Sequence, residues 1–350
     1  MSTSDTYDVI VVGAGLTGAL IAATLAEEGL HVVVLEAATS LAGTVRRQPG
    51  LALLGTPEPF MQLMEHVGEE LAHTLWELTS ENLVRLEILL DRVGVPAQKT
   101  GSLRLAADAA QSEVYRTSAA RLEAYGYTVE LEGDNRYGDQ VAIRTSDDLL
   151  FDPDALVSRL LDHDNIILEL DAEVQKVKER PGDGMAVFAH QRYLWADKIV
   201  IANGIHATRL SPQLAEVLRP GQIHTLALDQ TATLDQPLVL DNGRIFLLPH
   251  GDTTYLTGWG DDEDNVFWRL NAVAQQLCPD AIVRDRYTTR IARSADMLPV
   301  VDRLPIHPNI SVINGLGPFG LSLALVAADE LVELVLYDRQ PGLFTLTRMP

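Results

Sequence analysis

The chain has 350 residues, 27 basic against 49 acidic, a formal net charge of −22 and one cysteine. The length accommodates two domains with cores of their own, and the charge sets aside nucleic acid and anionic membranes as partners, both being polyanionic. Cys278 alone forms no disulfide framework and no CxxC redox or zinc motif, and the histidines lack ligand spacing: His66 and His73 share a helical face but have no further ligands, so no metal is predicted.

No apolar run reaches the about 20 residues needed to span a bilayer. The first residues lack the basic and apolar regions of a signal peptide, so the reading is a soluble, cytoplasmic protein. In chain order, residues 7–36 read as a strand, a glycine-rich turn, a helix and a second strand. Gly13 permits the tight turn, Gly15 lets main chain approach a pyrophosphate, and Gly18 lets the helix pack on the strand, with Ala14, Leu16 and Thr17 between them. The helix N-terminus offers N–H groups and a positive dipole end to phosphates. Glu36 ends the second strand, eighteen residues after Gly18, where a carboxylate accepts hydrogen bonds from a ribose. Together these predict a dinucleotide site.

Residues 59–93 carry apolar positions at helical spacing and read as two helices broken near Gly68 and near Thr79 and Ser80. Residues 101–106 read as a strand and 109–125 as a helix. Asp152 and Pro153 open a further helix as N-cap and first helical residue, ending near Leu161. Short alternating strands follow over 166–170, 173–178, 185–190 and 192–195, then a fully apolar one over 198–202, typical of a buried parallel sheet. Alternating strands return over 222–260, a helix covers 264–277, and a strand at 310–313 leads through a glycine-rich loop into a helix from Leu321 to about Tyr337. Parallel-sheet pieces thus alternate with antiparallel-looking ones. The fold class expected is α/β: a Rossmann-like domain with a mainly parallel sheet (1–75, 150–215 and 296–350) and an α+β domain with a largely antiparallel sheet (76–149 and 216–295).

In this order the segments resemble the D-amino-acid oxidase superfamily of FAD enzymes, which includes glycine oxidase and sarcosine oxidase. The likeness spans the turn and Glu36, Gly43, the segment 101–106, the helix start at 152–156, the strand 196–204, the segment 290–301 and the last glycine loop. It implies FAD held non-covalently, Cys278 lying away from the segment where sarcosine oxidases attach flavin. It also implies cofactor contacts at Gly13, Ala14, Gly15, Leu16, Thr17, Gly18, Glu36, Ala37, Gly43, Thr44, Val174, Ala202, Asn203, Gly204, Gly315, Gly317, Pro318, Phe319, Gly320 and Leu321. The last loop has a physical reading of its own: Gly315, Gly317 and Gly320 permit close approach and open a helix whose positive end favours the charge a reduced flavin gains. Arg46 and Arg47 meet the cofactor or stay in solvent.

The resemblance places the arginine that clamps a substrate carboxylate at Arg290, with Arg293 its competitor, since guanidinium binds carboxylate bidentately. It places Phe246 and Trp259 in the substrate cavity wall, the other reading of both being core packing. The expected activity is oxidation of a small amine or amino acid by hydride transfer from Cα to flavin N5, chemistry that needs positioning and a dry cavity more than a protein acid or base. Other readings are an NAD-dependent dehydrogenase, a flavin monooxygenase or hydroxy-acid enzyme of the same fold, and an FAD-binding protein that has lost its chemistry. A related oxidase domain acts on tRNA, against which the net charge argues. The oligomeric state is left open.

Overall fold

The structure is a computed structural model that describes residues 6–41, 50–133, 137, 140–179, 184–229, 234–305 and 307–348. With strands and helices numbered in chain order, β1 (Thr6–Val12) lies between β2 (Val32–Leu35) and the end of β12 (Arg192–Ile201), parallel to both. β9 (Ile166–Glu169) extends the sheet beyond β2 and β19 (His307–Asn314) beyond β12, and β18 (Val300–Leu304) runs antiparallel along β19. The parallel order is therefore β9-β2-β1-β12-β19.

Alternation decides which face each side chain serves. Val9, Val11, Val32 and Val34 face a helical layer that includes α1 (Leu16–Glu27), α5 (Pro153–Leu161) and α9 (Ala324–Tyr337). Ile10, Val12, Val33 and Leu35 face the other way, onto β11 (Met185–Ala189) and the start of β12. The pieces 192–195 and 198–202, expected as two strands, are one: β12 pairs antiparallel with β11 through Arg192–Ala196 and then parallel with β1 and β19, no Gly or Pro interrupting it. β10 (Lys176–Glu179) pairs with β11, and strand geometry begins at Lys176 rather than 173.

The second sheet has the order β17 (Val283–Ser294), β13 (Leu218–Asp229), β16 (Thr253–Trp259), β15 (Ile245–His250), β14 (Leu238–Leu240), β5 (Ser102–Leu105), β7 (Ala142–Thr145), β6 (Val129–Glu132). All its pairs are antiparallel except β14 with β5. One face packs on α8 (Glu263–Leu277), with Leu226, Leu247, Leu256, Phe267 and Leu270 in that core. A small sheet of β3 (Gly50–Ala52), β8 (Leu149–Phe151) and β4 (Ala97–Lys99) joins the two halves. The fold is thus α/β with one mainly parallel and one largely antiparallel sheet.

Among the helices, α2 (Phe60–Val67) stops at Gly68 as expected, but α3 (Glu69–Val93) runs unbroken past Thr79. The Thr79 hydroxyl donates back to the Trp76 carbonyl at 2.9 Å and accepts the Gly55 N–H at 2.7 Å, so it is satisfied inside the helix and no break is needed. The boundary drawn at 75/76 falls within α3. Asp152 caps α5 as expected, and Asp108 caps α4 (Ala109–Ala124) as well. Two single-turn helices, α6 (Ala207–Leu210) and α7 (Leu214–Val217), connect β12 to β13. The last helix does not begin at Leu321: a 3-10 segment, Gly317–Ser322, comes first, and α9 starts only at Ala324, because Phe319 and Leu323 leave helical geometry.

Candidate active site

The turn after β1 divides its three glycines by what a side chain would meet. At Gly13 the backbone is left-handed (φ +104°) and a Cβ would lie 2.8 Å from the Ala202 carbonyl oxygen. At Gly18 it would lie 2.0 Å from the Gly13 carbonyl oxygen. At Gly15 it would meet nothing within 4 Å. The outer glycines therefore serve the fold, and the middle one leaves the main chain bare. Gly15 is also the N-cap of α1, no side chain caps that end and no acidic residue occupies its first turn, so the positive terminus stays available to an anion. Glu36 is half-buried and tied to main chain: one carboxylate oxygen accepts the Ala14 N–H at 2.9 Å and the other the Ala38 N–H at 3.0 Å. Each oxygen keeps a lone pair for a further donor.

From this turn a cleft of about 630 Å³ runs to the last glycine loop. Its walls carry Gly13, Gly15, Leu16, Thr17, Glu36, Ala37, Val174, Ala202, Asn203, Gly204, Gly315, Gly317, Pro318, Gly320 and Leu321. Ala14 and Gly18 stand behind the turn, the first bonded to Glu36 and the second packed on Gly13. Gly43 and Thr44, with Arg46 and Arg47, lie outside the described residues. Among the described residues no cluster of three or more His, Cys, Asp or Glu could hold a metal ion, and no helix is long and apolar enough to cross a membrane.

At its far end the cleft reaches the antiparallel sheet through Ile223 and residues 288–292. Ile223 lies between Thr289 and Trp259 in the strand register, so Trp259 shares its face. Trp259 donates its indole N–H to the Gly243 carbonyl at 3.3 Å. Phe319 stands 6.0 Å from Phe246 and 6.1 Å from Trp259, ring centre to ring centre, closing a half-buried aromatic wall beside the loop. The two arginines part company here. Arg290 lines the cleft and is exposed, but its register partner Gln222 is one residue from Ile223, which turns its side chain to the sheet's other face. Arg293 is half-buried, its stem lies 3.3 Å from where a Gly221 Cβ would be, and its Cβ is 3.9 Å from that point on Gly317. Its guanidinium reaches Asp261 at 3.4 Å.

The family model of the FAD-dependent oxidoreductases (DAO) matches residues 8–334. The chain belongs to this family. It is 35% identical over 88 residues to the probable oxidoreductase OrdL of Haemophilus influenzae, covering 25% of this chain and 20% of that protein. It is 26% identical over 241 residues to the tRNA 5-methylaminomethyl-2-thiouridine biosynthesis bifunctional protein MnmC of Hydrogenovibrio crunogenus, covering 64% of this chain and 34% of that protein. The chain thus spans about a third or less of these curated relatives. Glycine oxidase from Geobacillus kaustophilus has the same fold, with a TM-score of 0.79, 18% identity, and 99% of this chain and 98% of that one covered.

The cleft of this FAD-dependent oxidoreductase fits the cofactor its family uses. Besides the bare main chain at Gly15, the side-chain oxygen of Asn203 is buried in the cleft wall without a hydrogen-bond partner, a cost that a bound donor would remove. Three supporting residues escaped the sequence reading. Asn314, buried, donates to the Gly204 carbonyl at 3.0 Å and accepts the Gly315 N–H at 2.8 Å, tying two cleft loops together. Asn82 of α3, fully buried, donates to the Leu321 carbonyl at 3.0 Å and accepts the Leu325 N–H at 2.9 Å, capping α9 from another helix. The positive end of α9 is therefore partly occupied by Asn82, contrary to the expectation that it faces the cofactor freely. Arg348 forks onto Asp296 at 2.7 and 3.1 Å. Burial alone would raise the Asp296 pKa, but hydrogen bonds from Arg348 and Ser294 and the Arg348 charge together hold it below the ordinary value. Of these only Asn314 carries a signal in the sequence, as a polar residue that ends an apolar strand.

Proposed function

We propose that this chain binds FAD non-covalently along the cleft and oxidises the C–N bond of a small amine or amino acid. The single observation that carries the reading is a continuous cleft from the Gly13 turn to the Gly315 loop in a chain of the FAD-dependent oxidoreductase family. FAD supplies the acceptor for the hydride leaving the substrate's α carbon, at flavin N5. The uncapped N-terminus of α1 and the Gly15 main chain would hold the pyrophosphate, and Glu36 the ribose. Asn203 and the loop from Gly315 to Leu321 would hold the flavin end.

At the substrate end the chain's own task is orientation and exclusion of water. Phe246, Trp259 and Phe319 form an apolar wall, and an arginine takes the carboxylate. Arg293 is the better placed of the two candidates, since it shares a face with Ile223 and adjoins Gly317; Arg290 is its rival. The solved proteins of this fold include a glycine oxidase, an L-amino acid deaminase and an L-proline dehydrogenase, which supports an amino-acid-like substrate. The charge of −22 disfavours a tRNA substrate, and with the single cysteine it suits a cytoplasmic enzyme. We assign residues 1–75, 150–215 and 296–350 to the FAD part and 76–149 and 216–295 to the substrate part.

The test is an anaerobic visible spectrum of the purified protein titrated with glycine, sarcosine, proline and D-amino acids, then opened to air. Bleaching of the flavin band by one of these is the expected result, and recolouring in air would mark an oxidase. A bound flavin that none of them bleaches refutes the substrate class; a colourless protein that takes up no added FAD refutes the cofactor.

A further inference from the structure

We propose that Asp148 and Arg104 are positioning residues that fix the distance between the flavin end of the cleft and the substrate-cavity wall, by clamping the segment 50–55 that runs from one to the other. The inference rests on the FAD reading above.

Asp148 is fully buried in the turn between β7 and β8, and Arg104 on β5 is 3% exposed. Together they hold both polar groups of a single residue. The Leu54 N–H donates to Asp148 at 2.6 Å, and the Leu54 carbonyl accepts from the Arg104 guanidinium at 2.7 Å. Ser102 and Thr145 hydroxyls donate to the other Asp148 oxygen. Burial pushes the Asp148 pKa up, and the Arg104 charge, the Leu54 N–H and the two hydroxyls oppose it. Burying two ionisable side chains that bond Leu54 rather than each other gives little net stability for their desolvation, so a task in geometry accounts for them better than one in stability.

The neighbouring amides are anchored from two further directions. Leu53 N–H donates to the Ser322 hydroxyl, at the end of the 3-10 segment that carries the glycine loop, at 2.9 Å, and Gly55 N–H donates to Thr79 of α3 at 2.7 Å. Three consecutive amides are thus held by side chains of three separate elements. At the near end, Gly50 lines the cleft, and a Cβ there would come within 2.9 Å of the Leu321 side chain. At the far end, Arg104 sits opposite Val239, which sits opposite Phe246. The clamp is therefore on the same sheet row, and the same face, as the aromatic wall. A shift of the segment would move the cleft floor relative to that wall, and a displacement of about 1 Å is enough to slow a positioned reaction.

The experiment compares wild type with Asp148→Asn, the double variant Arg104→Met/Asp148→Leu, and Ser322→Ala. The double variant leaves no unpaired buried charge, and the Ser322 change removes one neutral hydrogen bond, so both test the idea if Asp148→Asn fails to fold. Three readouts are taken: FAD affinity by flavin-fluorescence quenching, visible circular dichroism of the bound flavin, and hydrogen–deuterium exchange of the 50–55 amides. The expected result for the double variant is FAD binding at least tenfold weaker, an altered flavin dichroism and at least tenfold faster exchange in 50–55, with β13 and β16 as protected as in wild type. Ser322→Ala should weaken FAD binding about threefold, with faster exchange at Leu53. Wild-type affinity and dichroism in the double variant overturn the proposal, as does faster exchange spread evenly over the chain. Failure of the wild type to bind FAD would instead sink the cofactor reading.

Discussion

At the end of the cleft near Gly13 the lining is largely main chain: a bare glycine, an uncapped helix terminus and a carboxylate pinned by two amides. At β13 and β17 it is side chain: Ile223, Thr288, Thr289, Arg290, Ile291 and Ala292 line the cleft, with three aromatic rings and Arg293 beside it. A site built from main chain dictates residue type, because only glycine fits Gly13 and Gly18, and spacing follows from the turn. A site built from side chains dictates only volume and charge, so many residues serve. The first end is therefore fixed in residue type by geometry, and the second leaves room for variation.

The sharpest test of this contrast sets two glycines against each other. Gly18→Val drives a side chain into the Gly13 carbonyl, and we expect a loss of more than about 3 kcal/mol in urea unfolding. Gly15→Ala meets open space, so its unfolding free energy should stay within about 0.5 kcal/mol of wild type. Its FAD affinity should nevertheless drop at least tenfold, about 1.4 kcal/mol. If Gly15→Ala binds FAD as wild type does, the main chain there does not face the pyrophosphate.

At the other end the arginines are the decisive pair. Arg293→Ala should raise KM for the active amine by about 30-fold to 1,000-fold, the about 2–4 kcal/mol of a buried charge-assisted contact, while Arg290→Ala should change it less than about threefold. The reverse ranking would return the clamp to Arg290. Glu36→Gln removes the charge and turns an NH2 toward one of the two main-chain amides the carboxylate accepts, and isothermal titration should find FAD binding about 1–2 kcal/mol weaker.

The smallest effect concerns Asp296, whose turn abuts Gly317. Its folded pKa lies below the ordinary value of about 3.9, so its pairing with Arg348 stabilises above that value and is lost as pH falls through the depressed one. Arg348→Ala should cost about 1 kcal/mol at pH 7, discounted for the exposure of Asp296, and the gap to wild type should narrow in thermal melts as pH falls below the ordinary carboxylate value. A gap independent of pH would mean that Arg348 acts by packing alone.

What was legible in the sequence follows the same division. The strand, glycine turn, helix and strand of residues 7–36, the Asp152 cap and the alternation of parallel and antiparallel pieces could be read, since each rests on local geometry. Thr79 was misread as a helix break because its partner, the Gly55 amide, comes from 24 residues away. The delayed start of α9 was hidden because apolar residues from Leu321 to Leu325 suit a 3-10 turn and an α-helix alike. The resemblance favoured Arg290 with Arg293 as competitor, and their odd spacing of three in a strand puts the two on opposite faces. Asp148, Arg104 and Asn82 carried no signal, for a lone polar residue does not announce that it is buried.

The parallel sheet has an implication for how the protein is made. Strand β1 needs residues 198–201 as one neighbour, and the next strand out comes from 310–312, while α1 packs against α9. β1 can pair early with β2, but at about 5–20 residues per second its other edge waits about 10–40 s for residues 198–201. The cleft between the Gly13 turn and the Gly315 loop is thus among the last features to close.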